Sequence, residues 1–317
     1  MTSSSLRGDG HGHLPAWRVL ALGQVLSLLV TGTGICSTLL VARGKLLPML
    51  QSTLTYVALA LCLAARRRRR FRERWWKYAL IAVVDLEANF LLVLAYRYTS
   101  IASVMLLDCA TIPCVMLLSA AVLRARYSRQ HGVGVALCVV GLMCAVASDW
   151  MCAKRDHASI AEPAPAPARA LFGDCLALCG AALYAVSNTF QELLVKKHGP
   201  ADFLGAVGSF GALLGLAQTA LLEGAQLRVA RWQPAELGLL CAFCACLVAF
   251  YLLTSHFMQR ADAALFTLSL LTSDVYALAF AALSQHQRFC SLYGVGFAVT
   301  IGGVFIFTRA RAPTALR

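Results

Sequence analysis

Charged side chains are scarce in this sequence. Asp, Glu, Lys and Arg together make up 14% of the 317 residues, whereas 59% of the residues are hydrophobic. The mean hydropathy is +0.70, and a typical soluble domain carries about 25% charged residues. The shortage of charge excludes an ordinary soluble enzyme or binding domain, and it predicts a protein that lies mostly within a lipid bilayer.

Long polar stretches are also missing, so little of the chain is left for a soluble domain. Ten apolar segments, each long enough to span the hydrocarbon core as a helix, occupy residues 19–41, 46–65, 78–96, 101–123, 131–148, 171–194, 202–222, 236–257, 263–283 and 291–308. The first segment is too long for the apolar region of a signal peptide, and no small-residue cleavage pattern follows it. We therefore expect an all-α membrane protein with ten transmembrane helices.

Acidic residues are outnumbered by basic ones, with 15 Asp and Glu against 28 Lys and Arg. If the N-terminus is cytoplasmic, 19 of the 28 basic residues fall on the cytoplasmic side and nine fall outside. The positive-inside rule favours that orientation, so both termini are expected in the cytoplasm. We interpret the run from Arg66 to Arg70 as a topology signal that can also hold anionic lipid headgroups. Because this run lies between two spanning helices, no nucleic-acid partner is expected.

Metal-binding and disulfide patterns are sparse as well. The seven His residues are scattered, and nearly all of the 13 Cys residues lie within the apolar segments, where Cys packs as a small apolar side chain. Cys241 and Cys244 have the spacing of metal ligands, but no second pair accompanies them. Cys152 and Cys290 are expected near the outer surface, and their pairing is left open. We expect no metal, no cofactor and no catalytic centre, so an enzyme is not expected.

The two halves of the sequence repeat each other. Residues 126–141 align with residues 288–303 without a gap at an offset of 162, and the glycines at 132, 134 and 141 recur at 294, 296 and 303. Five spans in each half is an odd number, so the second half is expected to enter the membrane in the opposite orientation. Inverted repeats of this kind are typical of transporters, whose solute site lies near the midplane where the repeats meet. The glycines also have a simpler role, because small residues let helices pack closely in lipid.

The repeat and the charge pattern together predict five sections of the chain. A cytoplasmic tail (1–18) precedes the first five-helix repeat (19–148), and an external loop rich in Pro and Ala (149–170) follows it. The second five-helix repeat (171–309) ends in a short cytoplasmic tail (310–317). The loop is interpreted as a semi-rigid spacer, because its Pro residues cannot continue a helix.

Acidic residues lie where a membrane helix tolerates them least. Asp85, Glu87 and Asn89 fall at the centre of the third apolar segment, where a carboxylate costs roughly 2.5–3.5 kcal/mol on the mildest scale and marks a solute or proton pathway by default. Residues two apart point to nearly opposite sides of a helix, so at most one of the two acids is expected to face a central cavity. The other is expected to pair with a neighbouring helix. Asp108 lies on the fourth segment beside Pro113, which should bend that helix and free a backbone carbonyl.

Polar side chains on several predicted helices can line one cavity. The candidate solute-binding residues, with the first two ranked highest, are Glu87, Asp108, Asn89, Asp85, Tyr184, Asn188, Asp274, Gln51 and Gln24. No Lys or Arg lies at the same depth, so the buried acids leave an excess of negative charge. Two alternatives stay open: the Ser and Thr stripes are more often interhelical hydrogen bonds than ligand contacts, and the two Asn side chains can join helices instead.

Several motifs resemble one known family. They are Asp85-x-Glu87-Ala-Asn89, Ala95-Tyr96-x-Tyr98-Thr99, Ser103-Val104-x-Leu106-Leu107-Asp108-Cys109 and Leu271-Thr272-x-Asp274-x-Tyr276. With these motifs the chain resembles, over nearly its whole length, the F1/F2-like branch of subfamily F in solute carrier family 35. That family belongs to the drug/metabolite transporter superfamily. The resemblance implies a ten-helix fold of two inverted five-helix repeats, working by alternating access.

The resemblance also implies a nucleobase-like or nucleoside-like solute of the deazaguanine type, whereas other branches carry nucleotide sugars. Acid-rich helices fit a neutral or cationic aromatic solute better than a doubly charged nucleotide sugar, which needs buried Lys or Arg. We therefore expect a secondary transporter, in the plasma membrane rather than the Golgi, with proton coupling through Glu87 or Asp108 left open. The alternatives are a Golgi transporter of the nucleotide-sugar type and a divergent member that acts as a non-transporting receptor or scaffold.

Overall fold

The computed structural model describes residues 16–45, 47–64, 75–122, 128–156, 167–260 and 291–309, together with 270, 273, 275–281 and 283. Every regular element within these residues is a helix. The helices are α1 (Ala16–Ala42), α2 (Pro48–Ala64), α3 (Trp75–Ala95), α4 (Ile101–Asp108), α5 (Thr111–Val122), α6 (Arg129–Asp156), α7 (Pro167–His198), α8 (Pro200–Leu222), α9 (Gly224–Val229), α10 (Pro234–Arg260) and α11 (Ser291–Arg309).

Some predicted features lie outside the described residues. They are Asp274, the arginine run from Arg66 to Arg70, residues 157–166 of the Pro-rich loop, most of the two tails and much of the ninth apolar segment. The side chain of Cys152 and all of Cys290 lie outside them too, so the pairing of these two cysteines stays open.

The helices have the length and surface of membrane helices. Five stretches are long and apolar enough to cross a membrane: Ala21–Ala42, Trp75–Ala95, Ala168–Val195, Pro200–Leu222 and Pro234–Phe257. Shorter apolar stretches cover Ile101–Val115, Arg129–Cys144 and Ser291–Phe307. Large apolar side chains remain exposed on their outer faces, including Leu61 (69%), Leu80 (57%) and Leu213 (69%). Apolar surface on this scale fits contact with lipid rather than with water.

Helices from the two halves of the chain pack against each other. The main pairs are α1 with α10, α2 with α8, α3 with α7, and α6 with α11. One buried cluster combines Tyr56 and Leu86 with Phe203 and Phe243, so both halves contribute to the same core. This arrangement brings polar side chains of the first half next to polar side chains of the second.

The repeated glycines lie in the seam between α6 and α11. A Cβ atom added at Gly134 would lie 2.7 Å from the carbonyl oxygen of Gly303, and one added at Gly141 would lie 2.6 Å from the carbonyl oxygen of Gly296. Real Cβ atoms do not approach backbone atoms so closely, so these positions need glycine for the two helices to touch. The repeat relates position 134 to 296 and position 141 to 303. Gly134 therefore contacts the counterpart of Gly141, and Gly141 contacts the counterpart of Gly134.

The fourth apolar segment is broken rather than simply bent. Helix α4 ends at Asp108 and α5 begins at Thr111, two residues before Pro113. Pro has no N–H to donate, and its ring would clash with the carbonyl of Cys109 in a continuous helix. That carbonyl instead accepts the N–H of Ile112 at 3.1 Å. The sequence predicted a bend and a freed carbonyl, whereas the structure has a break directly after Asp108 and the Cys109 carbonyl keeps a hydrogen bond.

The Pro- and Ala-rich loop predicted at residues 149–170 is helical at both ends. Helix α6 continues to Asp156 and α7 begins at Pro167, so both ends of the predicted 149–170 loop are helical. Pro at the first position of a helix is favourable, since its missing N–H would have no intrahelical partner there. Half of the eight residues that follow the apolar segment of α6 (Met151, Ala153, Lys154 and Arg155) are good helix formers, so the helix can continue beyond its apolar part.

Candidate functional site

A carboxyl group in the middle of α3 collects three hydroxyl donors. Asp85 is 2% exposed. Tyr56 of α2 and Tyr251 of α10 donate to its Oδ2 at 2.7 Å and 2.5 Å, and Ser187 of α7 donates to its Oδ1 at 2.7 Å. Among the described residues no Lys or Arg donates to this carboxyl group. Hydroxyl groups on three other helices are therefore the hydrogen-bond donors to this carboxyl group, in place of the cation of a salt bridge.

Asn89 closes the network one helical turn further along α3. Its Nδ2, which has two hydrogens, is within hydrogen-bond distance of three acceptors: the phenol oxygens of Tyr56 and Tyr251 at 2.9 Å and 2.8 Å, and the backbone carbonyl of Asp85 at 2.9 Å. Each phenol thus donates to Asp85 and accepts from Asn89. We call the set Tyr56, Asp85, Asn89, Ser187 and Tyr251 the Asp85 network.

Packing explains why Tyr56 reaches this point. The Tyr56 ring packs against Gly211 of α8. A Cβ atom at position 211 would lie 2.6 Å from Tyr56 Cδ1, so the ring fits there because residue 211 has no side chain. The ring centroids of Tyr56 and Tyr251 are 6.2 Å apart with the planes tilted by 51°. The side chain of Tyr56 is fully buried, so its hydroxyl group needs internal partners, which Asp85 and Asn89 supply.

A second acid lies at the break between α4 and α5. Asp108 is half-buried, and Thr111 Oγ1 lies 3.5 Å from its Oδ1 while also donating to the carbonyl of Ala181 on α7 at 3.2 Å. Tyr184 of α7 is close enough to interact electrostatically with both Asp85 and Asp108, and Tyr96 with Asp108. Tyr184 is therefore near both acids.

The structure brings some of the predicted site residues together. Asp85 and Asn89 belong to the Asp85 network, and Asp108 and Tyr184 lie near it. Asn188 is half-buried on α7, directly after Ser187 of the network. Asp85, Asn89, Asp108 and Tyr184 form one region at the contact between the two halves of the chain, and Asn188 follows a member of the network in sequence.

Other predicted residues lie elsewhere. Glu87 accepts a hydrogen bond from Gln218 on α8, on a different side of α3 from the Asp85 network. Gln51 accepts from Ser37 of α1 at 2.8 Å, and its buried Nε2 has no hydrogen-bond partner among the described residues. Gln24 accepts from Tyr276 at 2.9 Å. Asp274, the remaining candidate, is outside the described residues.

Three members of the network, Tyr56, Ser187 and Tyr251, were missing from the predicted candidate residues. Tyr56 and Tyr251 are isolated tyrosines within apolar segments. That isolation was an available signal, because a phenol group at bilayer depth must find a hydrogen-bond partner inside the protein. Among the described residues, no group of three or more His, Cys, Asp or Glu side chains could hold a metal ion.

Comparison with known proteins agrees with the motifs. The family model described as solute carrier family 35 (SLC35F) matches residues 14–309. A mouse protein named solute carrier family 35 member F2 is 36% identical over 300 residues, which cover 92% of this chain and 78% of the mouse protein. The Xenopus tropicalis protein of the same name is 33% identical over 301 residues, covering 91% of this chain and 76% of the relative.

More distant proteins share the family or the fold. A Schizosaccharomyces pombe protein described as an uncharacterised solute carrier family 35 member is 30% identical over 300 residues, covering 92% of this chain and 57% of the yeast protein. A solved crystal structure of a protein 18% identical to this chain has a TM-score of 0.62 and covers 92% of this chain and 96% of its own. At that identity the likeness concerns the fold alone. From the family match and the two relatives above 30% identity, we conclude that the chain belongs to subfamily F of solute carrier family 35 and is a multi-pass integral membrane protein of the solute carrier class.

Proposed function

We propose that this chain is a secondary transporter that moves a small polar organic solute across the membrane by alternating access. The observation that carries the proposal is the composition of the Asp85 network. Tyr56, Asp85 and Asn89 come from the first half of the chain, and Ser187 and Tyr251 come from the second. Transporters built from two repeats bind their solute near the midplane where the repeats meet.

The pairing of helices supports ten spans in two inverted repeats of five. If α4 and α5 form one span and residues 263–283 form the ninth, each span of the first half corresponds to the span five further along. When each span is exchanged with its counterpart in the other repeat, the contact between α1 and α10 becomes the contact between α7 and α3. The α2–α8 and α6–α11 contacts each join a span to its own counterpart, so the exchange leaves them unchanged. Cys138 and Thr300, which the 162-residue offset relates, touch each other, with Cys138 Sγ 3.6 Å from the Thr300 carbonyl.

The break at Asp108 supports a solute site in this region. Discontinuous membrane helices expose backbone polar groups, and transporters use such breaks to contact solutes and coupling ions. We propose that Asp108 contacts the solute or a coupling proton, with Tyr184 near both Asp108 and Asp85. We propose instead that Glu87 joins α3 to α8, because its carboxylate accepts a hydrogen bond from Gln218 of α8.

The side chains of the region indicate the solute's chemistry. Two half-buried residues of α7, Tyr184 and Asn188, offer a ring face and an amide edge, which suit a planar heterocycle. Two acids that no described Lys or Arg neutralises would repel a phosphate group. We therefore propose a solute that is neutral or cationic at pH 7 and carries a nucleobase-like or nucleoside-like ring, such as the deazaguanine type.

We also propose both termini in the cytoplasm, a plasma-membrane location, and contact between the arginine run from Arg66 to Arg70 and anionic lipid. The charge distribution of the sequence supports these points. If transport is coupled to protons through Asp108, uptake should rise as the outside pH falls from about 7.5 to about 6.

An uptake screen tests the proposal. Expressing cells receive a mixture of labelled metabolites, and each hit is repeated in proteoliposomes with purified protein. We expect accumulation of neutral or cationic ring compounds by the parent and by an Asp202→Asn control, which changes an acid near the start of α8, and loss of accumulation in Asp108→Asn. Transport of a nucleotide sugar would overturn the charge argument. Folded protein without flux of any compound would favour the receptor or scaffold alternative.

A further inference from the structure

The α1–α2 connection meets the α8–α10 connection at one end of the molecule. Glu223 follows α8 directly and is 5% exposed. Its Oε1 accepts the N–H of Met49 and its Oε2 accepts the N–H of Leu50, both at 2.8 Å. These N–H groups belong to the first turn of α2, where no intrahelical acceptor exists. The positive end of the helix dipole also favours a carboxylate.

A shielded ion pair lies at the same end. Lys45 Nζ is 3.5 Å from Glu236 Oε2, and the two side chains are 17% and 6% exposed. The same ammonium group donates to the carbonyl of Arg231 and lies 5.5 Å from the ring centroid of Trp232. Glu236 also accepts the N–H of Gln233 at 3.0 Å. Because solvent barely reaches this pair, separating it costs more than separating a surface salt bridge.

Below these contacts, the seam between α2 and α8 is closed as far as the Asp85 network. Thr53 Oγ1 and Thr219 Oγ1 are 2.9 Å apart, and the Tyr56 ring packs against Gly211 deeper in the seam. Any opening from this end toward Asp85 along the seam must therefore begin at Glu223 and proceed through Thr53.

We propose that Glu223, Lys45 and Glu236 form a latch that holds this end closed and must separate before the Asp85 network becomes accessible from this side. The inference rests on the proposed transport function, in which one repeat rocks against the other. The latch joins α1 and α2 of the first half to α8 and α10 of the second, so such a motion must break it. Its charge-assisted hydrogen bonds give the closed end a discrete, stable state.

A cysteine reporter tests the latch without any solute. Ser187→Cys adds a thiol inside the Asp85 network, and its labelling by a membrane-impermeant thiol reagent is compared with the background from the native cysteines. The reporter is combined with Glu223→Gln, which keeps the shape of the side chain but leaves only one acceptor oxygen for two N–H groups. The matched control is Asp202→Asn, an acid at the opposite end of α8.

We expect Glu223→Gln to label about three to ten times faster than the parent reporter, since the net loss of one ordinary hydrogen bond shifts the equilibrium by about that factor. Lys45→Gln should act in the same direction, and Asp202→Asn should leave the rate unchanged. Intact cells and inside-out vesicles are both labelled, and the faster labelling should appear in intact cells. Equal rates in the parent, Glu223→Gln and Lys45→Gln from both sides would overturn the latch.

Locking the same seam supplies an independent test. A Thr53→Cys, Thr219→Cys pair, cross-linked by oxidation, should reduce labelling of the Ser187→Cys reporter from the latch side, and a reductant should restore it. Undiminished labelling after complete cross-linking would also overturn the latch. If the reporter responds as expected but no compound is transported in the parent, the proposed function fails while the latch stands.

Discussion

Asp85 shows how a buried acid can be held without a cation. Tyr56, Tyr251 and Ser187 donate to its carboxyl group, and Asn89 donates to both phenol oxygens. Each phenol is therefore used as donor and acceptor, and removing one member leaves the others with unsatisfied polar groups. Such networks respond to substitution more strongly than a single hydrogen bond does, because their members depend on one another.

The first prediction concerns the centre of this network. Asp85→Asn replaces a carboxylate oxygen by an NH2 group, which cannot accept from the hydroxyl groups around it. We expect the free energy of unfolding to fall by about 2–3 kcal/mol, against about 1 kcal/mol for Ser187→Ala, which removes a single donor. Thermal unfolding of the purified proteins in detergent measures both. A smaller loss for Asp85→Asn than for Ser187→Ala would contradict the central position of Asp85.

The second prediction separates the two acids that the sequence ranked first. The sequence predicts loss of transport for both Glu87→Gln and Asp108→Asn. The contacts predict loss for Asp108→Asn alone, by at least about tenfold, because Gln at position 87 can still pair with Gln218. Uptake is measured alongside surface delivery and unfolding temperature. Normal transport by Asp108→Asn would remove it from the proposed site, and loss of transport by folded Glu87→Gln would support the sequence-based ranking.

Among the elements, the α6–α11 pair depends on the absence of side chains. Gly134 and Gly303 face each other so closely that neither can carry a methyl group without displacing the partner backbone. In lipid, such packing replaces the hydrophobic driving force that would join the same helices in water. The repeated glycines therefore have a structural role, which is compatible with the repeat that they reveal.

The third prediction uses two adjacent glycines of α11. A Cβ atom at Gly303 would lie 2.6 Å from the Gly134 carbonyl oxygen and 2.7 Å from the Cys138 nitrogen, whereas one at Gly302 meets nothing within 4 Å. We expect Gly303→Ala to lower the free energy of unfolding by about 1–3 kcal/mol. Gly302→Ala should be neutral or raise it by up to about 1 kcal/mol, since Ala favours helix. Similar unfolding temperatures for the two variants would show that the seam can relax.

For the whole molecule, the proposed orientation in the membrane rests on the distribution of charge. Nineteen of the 28 Lys and Arg residues fall on one side when the ten proposed spans are threaded in order. The proposed topology puts the latch end, with Glu223 and Lys45, on the outer or lumenal side. The arginine run from Arg66 to Arg70 then lies on the cytoplasmic side, where anionic lipid is enriched.

The fourth prediction tests this topology. Epitope tags at Met1 and after Arg317 should react with antibody only after cells are permeabilised, because both termini are expected in the cytoplasm. A tag inserted in the Pro-rich loop at residue 162 should react on intact cells if the protein is in the plasma membrane. Staining of the Met1 tag on intact cells would refute the orientation, and a loop tag hidden in intact cells would indicate an internal membrane.

The sequence by itself determined the class of protein. Scarce charge and long apolar segments identified an all-helical membrane protein, and the motifs around Asp85 and Asp108 identified the family, which the family match confirms. Pro113 predicted a bend close to the place where the structure has a break, because a missing N–H acts locally. These features depend on composition or on a few neighbouring residues, so they can be inferred without tertiary structure. The ten spans, their inverted repeats and the solute stay predictions.

Only the tertiary structure decided which residues surround each acid. Periodicity indicated that Asp85 and Glu87 point to different sides of α3, but it could not say which side meets Tyr56 and Tyr251 and which meets Gln218. These partners are 29 to 166 residues away from the acids in sequence. Hydrogen bonds reach only about 3 Å, so the choice of partner depends on how distant helices pack and rotate against each other, which no local pattern encodes.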